Sequence, residues 1–382
     1  MNSKILYQKK KIQTDVGYIR EVTGDGLMSK KKSLKILLIT IISCLIITTA
    51  LVITVDPFYH YHAPSARSSV YLYTSFYQSP GMARHFDYDA AIVGTSMTEN
   101  SRISWLEEDG YKPVKLSYSG GRMADYAMLL DQIYRSGNDV KLIIMDINEY
   151  QLSMPYDSRI STDPDYLTDR NLLNDVNYLF NKDVILSAIG RLLAKAEGIE
   201  GNEEDAYTWE DEELFGHELV VEDYDMVMEG VDRAFAAIHT DEEIEEKLEN
   251  VRNNIDEIGV YIEAHPETEY KIFFPPYSEA YWESLREEGD LDEALLMYKE
   301  AVKYLSGYEN VSVYFFMDSY DFITDLDEYR DICHYRPEIN RLLHDRMMTE
   351  PGQDPADITD RIDALAEYVR NSNIVDEYRD LD

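Results

Sequence analysis

Residues 91–100 read Ala91-Ile92-Val93-Gly94-Thr95-Ser96-Met97-Thr98-Glu99-Asn100, an apolar run that breaks at a glycine and leaves a serine at the start of a turn. Consecutive apolar residues over so short a stretch suit a strand buried on both faces. With its first residues included (89–95, DAAIVGT), this run is the first of five; the others are 114–118 (VKLSY), 140–147 (VKLIIMDI), 270–274 (YKIFF) and 311–316 (VSVYFF). Helical periodicity fills the intervals at 124–135, 176–195, 244–262 and 291–305, and again at 337–348 after the last run. Regular alternation of strand and helix implies an α/β fold with a parallel, doubly wound sheet. In such a sheet functional groups collect where strands deliver the chain into loops at their carboxyl ends.

The chain has 382 residues, 45% of them hydrophobic, with 36 Lys and Arg against 74 Asp and Glu. That apolar content excludes intrinsic disorder as the whole description. The net charge of −38 repels phosphate backbones, and no basic patch lies beyond the first 35 residues, so nucleic acid is excluded as a partner. Residues 1–35 carry nine Lys or Arg against Asp15, Glu21 and Asp25, a net of +6, which leaves −44 for the rest. Residues 36–55 (ILLITIISCLIITTALVITV) then run without a charge, enough for ~30 Å of hydrocarbon. A secretory signal has a shorter apolar core and a small-residue cleavage site, whereas Asp56-Pro57-Phe58 follows here. The expected organisation is a basic cytoplasmic tail (1–35), a transmembrane helix (36–55), a juxtamembrane linker (56–84), an extracytoplasmic body (85–350) and a C-terminal helix and tail (351–382) that frays after about 370. The basic cluster beside the apolar run keeps the N-terminus inside, making the protein a single-pass component of the cell membrane. A body cut at about residue 57 should fold alone. Phe58-Tyr59-His60-Tyr61-His62 is expected at the outer interface, ahead of a metal role for His60 and His62. A sensor with a cytoplasmic output has too short a tail to carry one.

Residues 151–240 interrupt the alternation and are expected to form a helical insertion. Residues 203–250 hold nineteen acids against Arg233 and Lys247, a pattern that usually solvates a surface. Calcium is the competing reading, through Asp163, Asp165 and Asp169 or through Asp321, Asp325 and Asp327. Neither set has the spacing of an EF-hand loop, so no metal and no cofactor is expected.

Chemistry gathers at three strand ends and one late loop. Ser96, after Gly94, can present its hydroxyl and its own N–H, although a helix-capping serine is the ordinary alternative. Ser119-Gly120-Gly121-Arg122 follows the second strand, where the Gly120 N–H can approach a ligand. Asn148 emerges from the third strand with a side-chain NH₂, or simply caps a loop. Asp331-Ile332-Cys333-His334 places a carboxylate three residues before an imidazole, a spacing that fixes the tautomer and frees Nε2 to face a serine. Cys333 as a nucleophile is the weaker reading. Cys44 lies in the apolar run, so no intrachain disulfide is expected.

Gly94-Thr95-Ser96, Ser119-Gly120, Asp146-Ile147-Asn148-Glu149 and Asp331-x-x-His334, in that order over residues 85–350, resemble the ordered blocks of the SGNH (GDSL-like) hydrolases. The resemblance implies a three-layer flavodoxin-like sheet, Ser96 as nucleophile, His334 as base and Asp331 as its orienter. It also implies an oxyanion hole of the Ser96 and Gly120 N–H groups with Asn148. The chain is similar to membrane-anchored cell-envelope members related to proteins that move acyl groups onto surface polymers. That implies a serine esterase or O-acyltransferase acting on an acylated surface polysaccharide or teichoic-acid-like polymer, with a membrane acyltransferase as a further partner. Phe274-Pro275-Pro276-Tyr277-Ser278 is similar to a segment in some of these proteins and has no chemistry assigned. Thr95 stands where the first block usually has Asp, and Asp146 where the third usually has Gly. The second departure is expected to tilt the loop that holds Asn148. The alternative of another class is a catalytically silent tethered module on the same scaffold.

Overall fold

The structure is a computed structural model that describes residues 30–64, 75–160, 165–169, 171–199, 201, 203–204, 208–231 and 240–381. Most of the basic tail, and Asp163 of the first calcium set, lie outside the described residues. Helix α1 (Lys30–Val55) is long and apolar enough to cross a membrane. The body then follows as α2 (Ser75–His85), β1 (Ala90–Gly94), α3 (Ile103–Glu108), β2 (Pro113–Ser117), α4 (Met123–Arg135), β3 (Leu142–Asp146) and α5 (Glu149–Ser153). The inserted segment holds α6 (Val176–Leu179), α7 (Lys182–Ala196) and α8 (His217–Val227), with no strand among its described residues. After it come α9 (Asp241–Ala264), β4 (Glu269–Phe274), α10 (Glu279–Glu288), α11 (Leu291–Leu305), β5 (Val311–Phe315) and α12 (Tyr320–Ile323). Three helices close the chain: α13 (Pro337–Thr349), α14 (Pro355–Val369) and α15 (Ile374–Arg379).

The five strands form one parallel sheet in the order β2-β1-β3-β4-β5. Strand residues point alternately to opposite faces, and the apolar runs fill both. Ala91, Val93, Ile143, Met145, Ile272 and Phe315 enter one core, shared with α4, α9, α11 and α14. Ala90, Ile92, Leu142, Ile144, Phe273 and Tyr314 enter a second, shared with α8, α13 and α15. Strand order reverses at the seam between β1 and β3, the position where sheets of this kind place their functional groups. Ser96 and Asn148 emerge there.

Several expectations change. The periodicity at 176–195 is two helices, because the Asn181 side chain caps α7 by accepting from the Asp183 N–H at 2.7 Å. Residues 75–84 belong to the body rather than to a linker: Met82 and Ala83 are fully buried, and Ser79 Oγ donates to the Ser117 carbonyl at 2.8 Å. The C-terminus does not fray at 370, since Ile374 and Val375 of α15 enter the second core. Phe58, Tyr59 and His60 are buried in protein rather than laid at an interface. Their turn is built on Asp56, which has φ +41 and accepts from the N–H groups of His60, Tyr61 and His62 at 3.0, 2.8 and 2.9 Å and from Tyr178 OH at 3.0 Å. A cut at residue 57 would remove this carboxylate and the four hydrogen bonds it accepts.

Candidate active site

The turn that carries Ser96 starts from Gly94. A Cβ there would lie 2.5 Å from the Asp146 carboxylate and 2.2 Å from the Thr98 side chain, so only glycine lets β1 end this close to its neighbours. Thr95 caps the single 3₁₀ turn Ser96–Thr98, accepting from the Met97 N–H at 3.3 Å. Lys115, fully buried on β2, donates to the Glu99 carbonyl at 2.7 Å and holds the far side of the turn. Burial pulls the Lys115 ammonium down to about 8, against the acids around it.

His334 arrives on the loop between Tyr329 and Tyr335, which pair as an isolated antiparallel bridge and are both buried. Within it the Asp331 carboxylate accepts from the Cys333 N–H at 2.9 Å and the His334 N–H at 2.8 Å. The same carboxylate meets His334 Nδ1 at 2.8 Å, and His334 Nε2 lies 2.7 Å from Ser96 Oγ. Burial raises the Asp331 carboxyl, but the His334 imidazole and the two N–H groups outweigh it and hold it below the ordinary range. Two distant parts of the chain are thereby joined, and Asn340 Nδ2 of α13 ties them again by donating to the Met97 carbonyl at 2.8 Å. The His334 and Asp331 side chains are 28% and 25% exposed, open enough to meet a substrate.

Cys333 does not compete as a nucleophile, because burial, then Asp331, Asp223 and Glu149, push its thiol far above the usual range. The segment 274–278 acquires a role. The Pro276 carbonyl accepts from Tyr329 OH at 2.7 Å, and Ser278 Oγ donates to the Ile332 carbonyl at 2.7 Å. Tyr277 OH donates to Asn148 Oδ1, so this stretch braces the histidine loop against the β3 loop.

The expected oxyanion donors differ in their surroundings. Neither the Ser96 nor the Gly120 N–H has an acceptor among the described residues, and Gly120 is exposed with φ +66. They follow paired strand ends, Gly94 opposite Ser117. Asn148 is fully buried, and its NH₂ is engaged with Asp146 Oδ2 at 2.6 Å and Gln151 Oε1 at 3.0 Å, with Thr95 Oγ1 at 3.3 Å. Asp146 is the hub of this cluster. Its carboxylate also accepts from the Thr95 N–H at 2.9 Å, Thr95 Oγ1 at 2.6 Å and Tyr126 OH at 2.9 Å.

Acids of the insertion do more than solvate a surface. Glu204 caps α3 by accepting from the Ser104 N–H at 3.0 Å and hydroxyl at 2.6 Å, and Glu210 and Glu212 pair with Arg102 and Arg336 at 2.7 and 2.5 Å. Between them Trp209 donates Nε1 to Glu99 at 3.1 Å and sets its ring edge-on to His334, 5.5 Å between centroids. Arg330 covers the Trp209 ring at 5.4 Å. Sequence reading missed Trp209; a lone Trp inside an acid run is the only signal it offered. Asp327 of the second calcium set is engaged by His217 Nδ1 at 2.7 Å, and no group of three His, Cys, Asp or Glu among the described residues could hold a metal ion.

An edge-on aromatic contact contributes about 0.5–1.5 kcal/mol. Trp209→Ala should therefore slow the reaction of Ser96 with a fluorophosphonate by up to about tenfold, with a modest fall in melting temperature from the lost Glu99 hydrogen bond and Arg330 contact. A rate equal to the parent's would mean that the segment merely lies across the site.

No family model matches this chain and no curated protein matches it. Among solved structures it is similar to "a putative platelet activating factor from Streptococcus pneumonia" at 12% identity and TM-score 0.36, over 72% of this chain and 89% of that one. At that score the likeness carries no argument, and the chemistry of the site rests on its own geometry.

Proposed function

We propose that this chain is a serine esterase or O-acyltransferase of the SGNH type, held on the outer face of a membrane by α1 and acting on ester-linked acyl groups of a surface glycopolymer. One observation carries the reading: Ser96 Oγ, His334 Nε2 and the Asp331 carboxylate form a continuous chain of hydrogen bonds at 2.7 and 2.8 Å, at the strand ends beside the β1/β3 seam. The strand order and the two cores flanking the sheet support a three-layer flavodoxin-like scaffold. On this reading His334 takes the Ser96 proton, Ser96 attacks the ester carbonyl, and the Ser96 and Gly120 N–H groups receive the oxyanion. The leaving alcohol takes the proton from His334, and water or a sugar hydroxyl then resolves the acyl-serine. The glycopolymer and a membrane acyltransferase partner come from the family resemblance. A silent scaffold is favoured by one observation, the engagement of the Asn148 NH₂ inside the protein, which leaves the oxyanion to two backbone donors.

Intact-mass measurement after fluorophosphonate treatment separates the two. The enzyme reading expects one adduct on the parent chain and none on Ser96→Ala or His334→Ala. A well-folded parent that takes no adduct would transfer the weight to the scaffold.

A further inference from the structure

Of the eighteen exposed large apolar or aromatic side chains described outside α1, nine fall between residues 172 and 199. This segment carries α6 and α7. Helix α7 buries Val184, Ala188 and Arg191, yet its opposite side leaves Leu186, Ile189, Leu192 and Leu193 exposed, Leu193 at 59%. Just before it Leu172 and Leu173 are 77% and 88% exposed. A helix apolar on both sides is not made for water.

Its buried side tells where the exposed side lies. Val184 and Tyr178 share a core with Val52 of α1 and with Phe58. Tyr178 OH donates to Asp56, and Arg191 Nη1 donates to Tyr59 OH at 3.1 Å, both partners lying directly after the last turn of α1. Residues 30–47 of α1 are exposed, Thr48, Thr49 and Leu51 are half-buried, and Val52 and Val55 are its first buried positions. The body therefore seats against the end of α1, with α7 beside the point where the spanning helix emerges. With Arg191 buried, the exposed charges of α7 are Lys182 and Lys195 against Asp183, a net of +1 in a chain of net −38. A helix with exposed leucines and a cationic balance, seated at the exit of a spanning helix, has the properties of an element lying in a bilayer interface.

We infer that α6 and α7 form a second membrane contact, lying in the plane of the outer lipid interface with Leu186, Ile189 and Leu193 among the acyl chains. The inference rests on α1 being a membrane anchor, the localisation of the proposed function. The body is then fixed in height and orientation above the lipid rather than swinging on a tether.

The test uses the full-length protein in vesicles of phosphatidylcholine and phosphatidylglycerol, with a nitroxide on one introduced cysteine at a time: Ile189→Cys, Leu193→Cys, Ile46→Cys in α1, and Glu249→Cys as an aqueous reference. Cys44→Ala and Cys333→Ser remove the native thiols. Collision of the nitroxide with oxygen relative to a water-soluble nickel chelate reports depth. Positions 189 and 193 should give a ratio several-fold above position 249, at a depth of ~5–10 Å, with position 46 deeper. Position 46 in hydrocarbon with 189 and 193 reading as water would overturn the inference while leaving the anchor intact, and would assign the face to a protein partner. All positions reading as water would overturn both. Positions 189 and 193 in lipid without 46 would keep the interfacial helix and overturn the spanning one.

Discussion

Asp146→Ala should destabilise the body more than any substitution of Ser96, His334 or Asp331. The carboxylate is fully buried and accepts from the Thr95 N–H, Thr95 Oγ1, Tyr126 OH and Asn148 Nδ2, all within 2.9 Å. Removing it leaves four donors facing a methyl group without water. A donor stranded in this way costs about 1–3 kcal/mol, and breaking the network should cost about 3–5 kcal/mol after relaxation. In a body of this size that is a fall in melting temperature of roughly 10 °C. The pH dependence has a definite sign. Burial pushes the Asp146 carboxyl up despite hydrogen bonds from Thr95, Asn148 and Tyr126 that pull it down. A carboxyl whose folded pKa is raised binds its proton more tightly in the native state, so its contribution is fullest below the ordinary carboxylate range and declines as pH rises through the folded value. The Asp146→Ala penalty should therefore be larger in mild acid than at neutral pH. Thermal melts at two pH values check both points, and a change under about 1 kcal/mol would show that the four donors find other partners.

The same network explains why two departures from the resembled motif are one. Thr95 in place of Asp and Asp146 in place of Gly look independent in sequence, because position in a chain says nothing about contact across a sheet. In the structure they touch: the carboxylate absent from the β1 turn is supplied from β3 and hydrogen bonds to both the backbone and the side chain of the threonine. At the Asn148 loop the side-chain NH₂ donates to Asp146 and Gln151, and Asn148 Oδ1 accepts from Tyr277 OH.

What was legible followed from local rules. Short β-branched runs gave the five strands, and helical spacing gave α9, α11 and α13 within a few residues, with a Thr240 capping box and Pro337 marking two of their starts. The i, i+3 spacing of Asp331 and His334 is likewise a local property. What was not legible depends on where a non-periodic segment travels. Nothing near Trp209 announces that it will meet His334, because that approach is set by Glu204, Glu210 and Glu212 finding partners on α3, Arg102 and Arg336. Composition makes the aromatic cluster at 58–62 look like an interfacial belt, whereas the left-handed turn at Asp56 folds Phe58, Tyr59 and His60 inward. The exposed side of α7 was hidden because its apolar residues surround the helix, and a periodicity test reports that they exist without saying which of them face protein.

Asp331→Asn should give the largest loss of reactivity for the smallest structural change. The amide keeps the shape of the carboxylate and can still accept from the Cys333 and His334 N–H groups through its oxygen, so the loop between Tyr329 and Tyr335 should hold. What it loses is the ionised partner at His334 Nδ1. An asparagine that presents its NH₂ to Nδ1 selects the tautomer with the proton on Nε2, which then cannot accept from Ser96. On the proposed reading the rate of fluorophosphonate labelling should fall by about 10³–10⁴-fold, the loss seen when a triad carboxylate becomes an amide. Stability should move in one direction only. The Asp331 carboxyl is held below the ordinary range, so it supports the native state at neutral pH and that support is lost as pH falls through its folded value. The variant should therefore be slightly less stable than the parent at pH 7, with the difference vanishing in acid. A rate loss below about tenfold, with that stability change intact, would reduce the carboxylate to a loop fastener and remove the central argument for acyl transfer at Ser96. A loss of three orders of magnitude or more in a protein that melts near its parent would place Asp331 in the reaction through His334, because loop fastening alone does not act so selectively on rate.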